Sequence, residues 1–518
     1  MKLRLDSQHR LRYKSTAYKT FHFFGKFLLF LFILFLLLVG FTQTSYFRNL
    51  LRDKIVEYAK GELNGNLNIE SIYGTLFSSL TIKNLSYSIE GVEFVSAKTI
   101  HISINPLALI QHKIVINKFF LENAYVNFVQ FKDGKWITEK LLKHPLKKDT
   151  TPPAKFDYDV IIKSTTLSDC QFVFKKNVDS SDYFKYTLYD TFNYDDITIS
   201  KLNLQFASHL NFSENEYELK IKELKFNSNA RDFAIEDINL NIAAKNNSLS
   251  LTPIEIKTSK SNLKIDLKVD DFNLSDTYLF EKLPEKNFSA QVQAEPFNFD
   301  DLHSLIPEVN MLKGKIFIQA EATGSLKNLN VEYITAKYDS TNLNVQGVLN
   351  NLDEPDKLYI KARIVNSELL MKDISRLLPL YEIPEFGELG KLKLDIIHEG
   401  THLNFKTDFK ILNSTGEITG FSKFNFNRRI PSYSIDLSTK NLELHPFTKI
   451  DGVVNSSLKI NGEGFDPQTI NIDLNFLAHH SSFAGNKIDS ISLIALGKNK
   501  NFDFDFIAIS EKANLSLK

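Results

Sequence analysis

From Leu67 to its end the chain alternates apolar and polar residues in short runs. This period of two constrains the fold more than any other feature. Leu67 and Ile69, Leu80 and Ile82, Ile100, Ile102 and Ile104, and Ile114 and Ile116 each put apolar residues at every second place. The pattern continues in 217–226 (YELKIKELKF), 236–242 (EDINLNI), 262–269 (NLKIDLKV), 343–349 (LNVQGVL) and 471–477 (NIDLNFL). Asn, Ser, Asp or Gly bounds each run, as expected of strands with one apolar and one polar face. After residue 157 no helix of ordinary length intervenes. That argues against a parallel sheet with crossover helices and for an antiparallel meander or solenoid. The fold class read from the pattern is mainly β, elongated and antiparallel, with a few short helices.

The second half repeats. Phe297, Phe299, Asp301, Leu302, Leu305 and Pro307 are matched seventy-two residues later by Leu369, Met371, Asp373, Ile374, Leu377 and Pro379. A degenerate third copy holds Leu442, Leu444, Phe447 and Ile450. Each copy reads as a strand running into a short helical turn. Each is followed by two glycines ten residues apart: Gly314 and Gly324, Gly390 and Gly400, Gly452 and Gly462. Glycine at both ends of a strand suits turns or bulges that need positive φ. A repeat of this size predicts a quasi-linear array in which each unit buries its face on its neighbours.

The N-terminus has a different pattern. The 62 Lys and Arg balance 62 Asp and Glu, but Lys2, Arg4, Arg10, Arg12, Lys14, Lys19 and Lys26 precede the first apolar run with Asp6 as their only counter-charge. That run is Phe27, Leu28, Leu29, Phe30, Leu31, Phe32, Ile33, Leu34, Phe35, Leu36, Leu37, Leu38 and Val39. Extended back to Phe21 it reaches about 21 residues, roughly 31 Å of helix and enough for a bilayer. No A-x-A cleavage site follows it, so it reads as a retained membrane anchor rather than a cleaved signal peptide. The basic flank places the N-terminus in the cytoplasm. Residues 45–60 form one helical stripe, 105–110 a short helix capped by Asn105, 133–134 a hairpin turn and 136–148 a basic helix. The layout is then a basic tail (1–20), an anchor (21–42), a helix and β-region (43–148), a Pro-rich linker (149–156) and the repetitive β-region (157–518).

Enzyme motifs are sparse. His398-Glu399-Gly400-Thr401-His402 matches H-E-x-x-H, which binds zinc only on a helix; here Leu392, Leu394 and Ile396 lead into it as a strand. The match reads as accidental. Ser456-Ser457-Leu458-Lys459 matches S-x-x-K in a strand without its companion motifs, and His479 and His480 are adjacent and so face opposite ways. Cys170 is the only cysteine and reads as structural. We expect no catalytic residues, no metal and no cofactor, and the balanced charge gives no reason to expect nucleic acid.

Over residues 27–140 the chain resembles the AsmA-like envelope proteins of the TamB family. The likeness lies in order and spacing: anchor, short helix, Gly74-Thr75-Leu76 turn, Leu80, Ile82 and Leu85, the strand led by Ala97, a Pro106-Leu107-Ala108-Leu109 helix, and Gly134-Lys135-Trp136. The resemblance implies a β-taco, a half-open trough of antiparallel strands with an apolar interior. It implies an inner-membrane, single-pass protein with its bulk in the periplasm of a two-membrane bacterium. It implies roles in phospholipid movement to the outer membrane or in outer-membrane biogenesis, with an outer-membrane barrel of the TamA or BamA type as partner. Family members usually run longer. This chain stops within a strand pattern at 507–518, which suggests a fragment or a short relative.

A strand must cover its apolar face, either with another sheet or with lipid acyl chains. If the trough is open, Ile316, Ile318, Leu392, Leu394, Ile396, Val454, Leu458 and Ile460 are the expected groove lining. The rival reading is a periplasmic scaffold that guides outer-membrane proteins by strand pairing, without conducting lipid.

Overall fold

The computed structural model describes residues 5–75, 78–143, 156–178, 186–274, 276, 278–384, 386–466, 470–498 and 500–518. Residues 149–155 of the predicted linker and 144–148 of the predicted basic helix fall outside these. Strands dominate, and the chain divides into two compact units.

The first unit comprises Met1–Thr187 and Tyr194–Ser213. It opens with α1 (Leu5–Thr42) and α2 (Ser45–Glu62). Thr44 caps α2, its Oγ1 accepting from the Phe47 amide at 3.2 Å. Six strands follow: β1 (Asn66–Thr75), β2 (Ser79–Ile89), β3 (Val92–Asn105), β4 (Lys113–Phe131), β5 (Asp159–Val178) and β6 (Asp196–Asn211). Neighbours are antiparallel except β4 and β5, which run parallel from Lys113↔Asp159 to Phe131↔Val178. The connection through 132–158 returns the chain to the end where β4 began, and this forces the parallel pairing. The turn at Asp133-Gly134 forms with Gly134 at φ 82°. Of the helix predicted over 136–148, the described residues 136–143 hold one 3₁₀ turn, Ile137–Lys140; there the chain closes a core.

That core decides the character of the first unit. Ile89, Val129 and Ile137 are fully buried beside Tyr87, Val92, Phe131 and Val178, with Leu63, Leu67, Phe94 and Leu141 packed around them. A second small cluster holds Ala97, Ala124 and Cys170.

The second unit comprises Leu188–Asn193 and Glu214–Lys518. Its strands pair antiparallel in an open meander from Glu216–Ser228 to Asn514–Leu517. The repeat proves to be four strands long. In each copy a strand runs into a short helix: Phe288–Asn298 into Asp300–His303, Tyr359–Leu370 into Met371–Leu377, and Ser432–Glu443 into His445–Thr448. The helices stay short because each carries the chain only from one strand end to the next.

In the first two copies a buried aspartate on the helix holds the tip of a neighbouring hairpin. Asp301 accepts from Thr258 Oγ1 at 2.7 Å and also from the Ser261 hydroxyl. Asp373 accepts from the Ser340 amide and from Thr341 Oγ1, each at 2.9 Å. In the third copy Pro446 takes the aspartate's place, and the buried Thr415 hydroxyl of the matching hairpin has no hydrogen-bond partner. The degeneracy seen in sequence therefore includes the loss of one specific carboxylate.

The repeat glycines meet two different needs. Gly314, Gly324, Gly390 and Gly400 have φ of 97°, 122°, 61° and 143°, where a side chain would be strained. Gly452 and Gly462 do not. A Cβ at Gly462 would sit 2.4 Å from the Tyr433 ring, so this glycine makes room for an aromatic side chain and the turn explanation fails there.

Candidate functional site

Because strands pair in register, the side chains on one face of the second unit form rows across the sheet. One row can be followed through the pairings from strand to strand. It runs Ile221, Leu240, Ile254, Ile265, Val292, Ala320, Ile334, Val345, Ile364, Ile396, Phe409, Gly420, Leu437, Leu458, Phe476, Leu493, Phe506 and Leu517. No polar side chain interrupts it. Every member up to Phe506 is half-buried, and Leu517 is exposed. Eighteen positions at about 4.8 Å make a strip roughly 80 Å long.

Inner-face residues of a closed β-sandwich are buried by the opposing sheet. Here none of the row reaches that state. Leaving a Leu or Ile half exposed forgoes about 1 kcal/mol relative to full burial, so the row as a whole holds back an amount on the order of 10 kcal/mol. That is comparable to the net stability of an ordinary domain.

The eight predicted lining residues lie on this face, and all are half-buried. Ile396 and Leu458 belong to the row itself. Ile318 and Leu394 stand one step to one side, pairing with Ala336 and Ile411; Ile460 stands one step to the other, pairing with Ile435. Ile316, Leu392 and Val454 lie nearest the helix-bearing rim, opposite Phe297, Leu369 and Leu442. Single-strand reasoning found these residues but not the row, because the row exists only once register is known. Aromatic residues fill the opposite rim: Phe405 and Phe424 lie 5.4 Å apart, and Tyr433 stacks on Phe465 at 4.9 Å.

The row beside the main one has a polar gap. His398, Thr407 and Ser422 pair in succession between Ala362 and Ile435. His398 Nδ1 lies 2.9 Å from Thr407 Oγ1. This geometry separates the H-E-x-x-H residues. Within the strand Lys391–Thr401, His398 faces the apolar side. Glu399 faces away, accepting from Tyr359 Oη at 2.7 Å and pairing with Lys406 at 3.1 Å. The Tyr359 hydroxyl and then Lys406 hold the Glu399 carboxyl below its ordinary range. His402 sits exposed in the turn, so the two histidines share no face.

Ser456 and Lys459 likewise point apart: Ser456 is buried beside Thr439, and Lys459 pairs with Asp436. His479 and His480 depart from expectation. His480 has φ 45°, which breaks the alternation and leaves the two rings 5.7 Å apart. Among the described residues no cluster of His, Cys, Asp or Glu is arranged to hold a metal. Cys170 is buried, and burial pushes its thiol pKa up. The polar face of the sheet is laced with ion pairs such as Lys391–Glu368 and Lys410–Glu417.

At the N-terminus, Phe21–Thr42 is a helix long and apolar enough to cross a membrane. Of the predicted anchor residues, Phe27 through Leu38 are exposed and Val39 is half-buried.

Comparison with known proteins adds one finding. Residues 53–218 match the family model described as the TamB N-terminal domain. Over these residues the chain is similar to a TamB N-terminal domain. This match supports assignment to the TamB/AsmA-like family, and it ends within a few residues of Ser213, where the first unit closes. No curated protein and no solved structure matches the chain. The TamB domain, the apolar N-terminal helix and the large sheet together point to an envelope role of the TamB/AsmA kind.

Proposed function

We propose that this protein carries phospholipid between the inner and outer membranes, holding acyl chains against the apolar face of its second unit. The observation that carries the reading is the uninterrupted, half-buried row from Ile221 to Phe506. Each CH₂ removed from water gains about 0.8 kcal/mol, so a two-tailed lipid crossing water unaided faces a barrier of tens of kcal/mol. A continuous apolar strip removes most of that barrier while the headgroup stays wet, and it needs no catalytic residue. In this reading α1 is a single inner-membrane span with its N-terminus in the cytoplasm, and the β-units lie in the periplasm. Ile316, Ile318, Leu392, Leu394, Ile396, Val454, Leu458 and Ile460 line the groove, and an outer-membrane barrel of the TamA or BamA type receives the cargo.

Native mass spectrometry of the detergent-extracted chain tests this. Bound phospholipid is expected, with most of it lost in an Ile396→Lys, Leu458→Lys variant whose circular dichroism is unchanged. Absence of lipid from the unmodified chain, with capture of barrel strands along its sheet edge, would replace this reading by the assembly-scaffold one.

A further inference from the structure

The end of the first unit nearest the anchor carries an apolar knuckle. The 3₁₀ helix Pro106–Gln111 between β3 and β4 is built as the sequence predicts, with Asn105 Oδ1 accepting from the Leu107 amide at 3.2 Å. It buries only Ala108 and leaves Leu107 71%, Leu109 50% and Ile110 80% exposed. Phe156, just before β5, is 50% exposed at the same end, since β5 begins beside Lys113. Lone exposed apolar residues are ordinary; four at one end of one unit need a partner.

Chain geometry identifies the partner. Only Gln43 and Thr44 separate α1 from α2. α2 runs antiparallel to β1: the Arg48 guanidinium lies 5.9 Å from the Tyr73 ring centroid, and Arg52 Nη1 donates to the Glu70 carbonyl at 3.1 Å. The start of α2 therefore lies at the Thr75 end of β1. Register carries that level across the sheet, through Thr75↔Ser79 and Ser79↔Ser103. Ser45 lies about 4.5 Å before Arg48 along the helix. Asn105 lies about 7 Å beyond Ser103 along the strand. The knuckle and the exit of α1 thus stand at the same level to within about one helical turn.

We infer that Leu107, Leu109 and Ile110 insert into the lipid surface of the same bilayer that α1 crosses. They give the first unit a second, interfacial contact that fixes its strands relative to the membrane. The inference rests on reading α1 as a membrane anchor. It assigns the knuckle no part in lipid transfer.

Tryptophan quenching by brominated lipid tests it. The chain's single tryptophan, Trp136, follows the far end of β4, about 60 Å away along that strand. The full chain is reconstituted into phosphatidylethanolamine–phosphatidylglycerol vesicles containing phospholipid brominated near the ester end of the chains. In a Trp136→Phe, Ile110→Trp variant, roughly half or more of the emission is expected to be quenched. Leu107→Trp in the same background should behave alike, while Trp136 of the unmodified chain stays unquenched. If neither introduced tryptophan is quenched although the chain floats with vesicles after alkaline wash, the knuckle contact is wrong and the anchor stands. If the chain does not float, the anchor reading fails and takes the knuckle with it.

Discussion

Both units are built from the same alternating strands, yet one closes a core and the other does not. In the first unit α2 runs along β1 and the Ile137–Lys140 turn packs on the core, where Ile89, Val129 and Ile137 lose all contact with water. In the second unit the described helices span at most seven residues, and the buried apolar side chains, such as Ala294, Leu329 and Ala478, are scattered along the sheet and form no comparable cluster among the described residues. Alternation alone does not decide whether an apolar face is covered. What decides it is whether the chain supplies a covering segment, and among the described residues after 213 there is none of ordinary size.

The sharpest way to break this comparison is to make the same change in both units. Ile89→Ala removes a fully buried side chain and is expected to cost about 2–5 kcal/mol. Ile396→Ala, on the half-buried row, is expected to cost roughly 1 kcal/mol. Hydrogen exchange on the full chain reads each unit separately. Equal losses would mean that the second unit has a closed core.

Next in size is the hairpin clamp. Asp373→Ala leaves the Ser340 amide and Thr341 hydroxyl without their acceptor, a loss of about 1–3 kcal/mol. Protection should fall at 339–341 and in the adjoining strands. The reverse change, Pro446→Asp, offers Thr415 the acceptor it lacks. It should raise protection around 413–416 by up to about 1 kcal/mol. A gain there would confirm that the third copy is degenerate at this carboxylate.

The smallest effect concerns Cys170. Burial raises its pKa, so the thiolate population at neutral pH is below that of a free cysteine. Alkylation of the folded chain should be slow, and should reach the rate of a free thiol only in denaturant. Rapid labelling of the folded chain would mean that the cluster with Ala97 and Ala124 opens readily.

Much of this architecture was legible in the sequence. The strands at 217–226, 262–269 and 471–477, the helix at 45–60, the Asn105-capped turn and the repeated strand-to-helix junctions all form. They form because period, caps and turn residues act locally. Three features were not legible. The parallel pairing of β4 and β5 depends on where a 27-residue connection returns. The 3₁₀ turn found where the described residues 136–143 were expected to be helical depends on Ile137 finding the core around Val129. The continuous row depends on the register of successive pairings, in which bulges such as those between Ala294 and Phe297 and between Ile364 and Ser367 keep the apolar faces aligned. The strand context of the H-E-x-x-H match is legible in the sequence, and in the structure His398 and His402 share no face.

The proposed function requires the apolar face of the second unit to be in contact with lipid. Photo-crosslinking in cells, with benzoylphenylalanine placed singly at Ile334, Leu437 and Leu458 on that face, at Asp408 on the polar face and at Val129 in the first unit's core, tests it most directly. Phospholipid adducts are expected at the first three positions and none at the last two. Adducts at no position, or equally at Asp408, would contradict it.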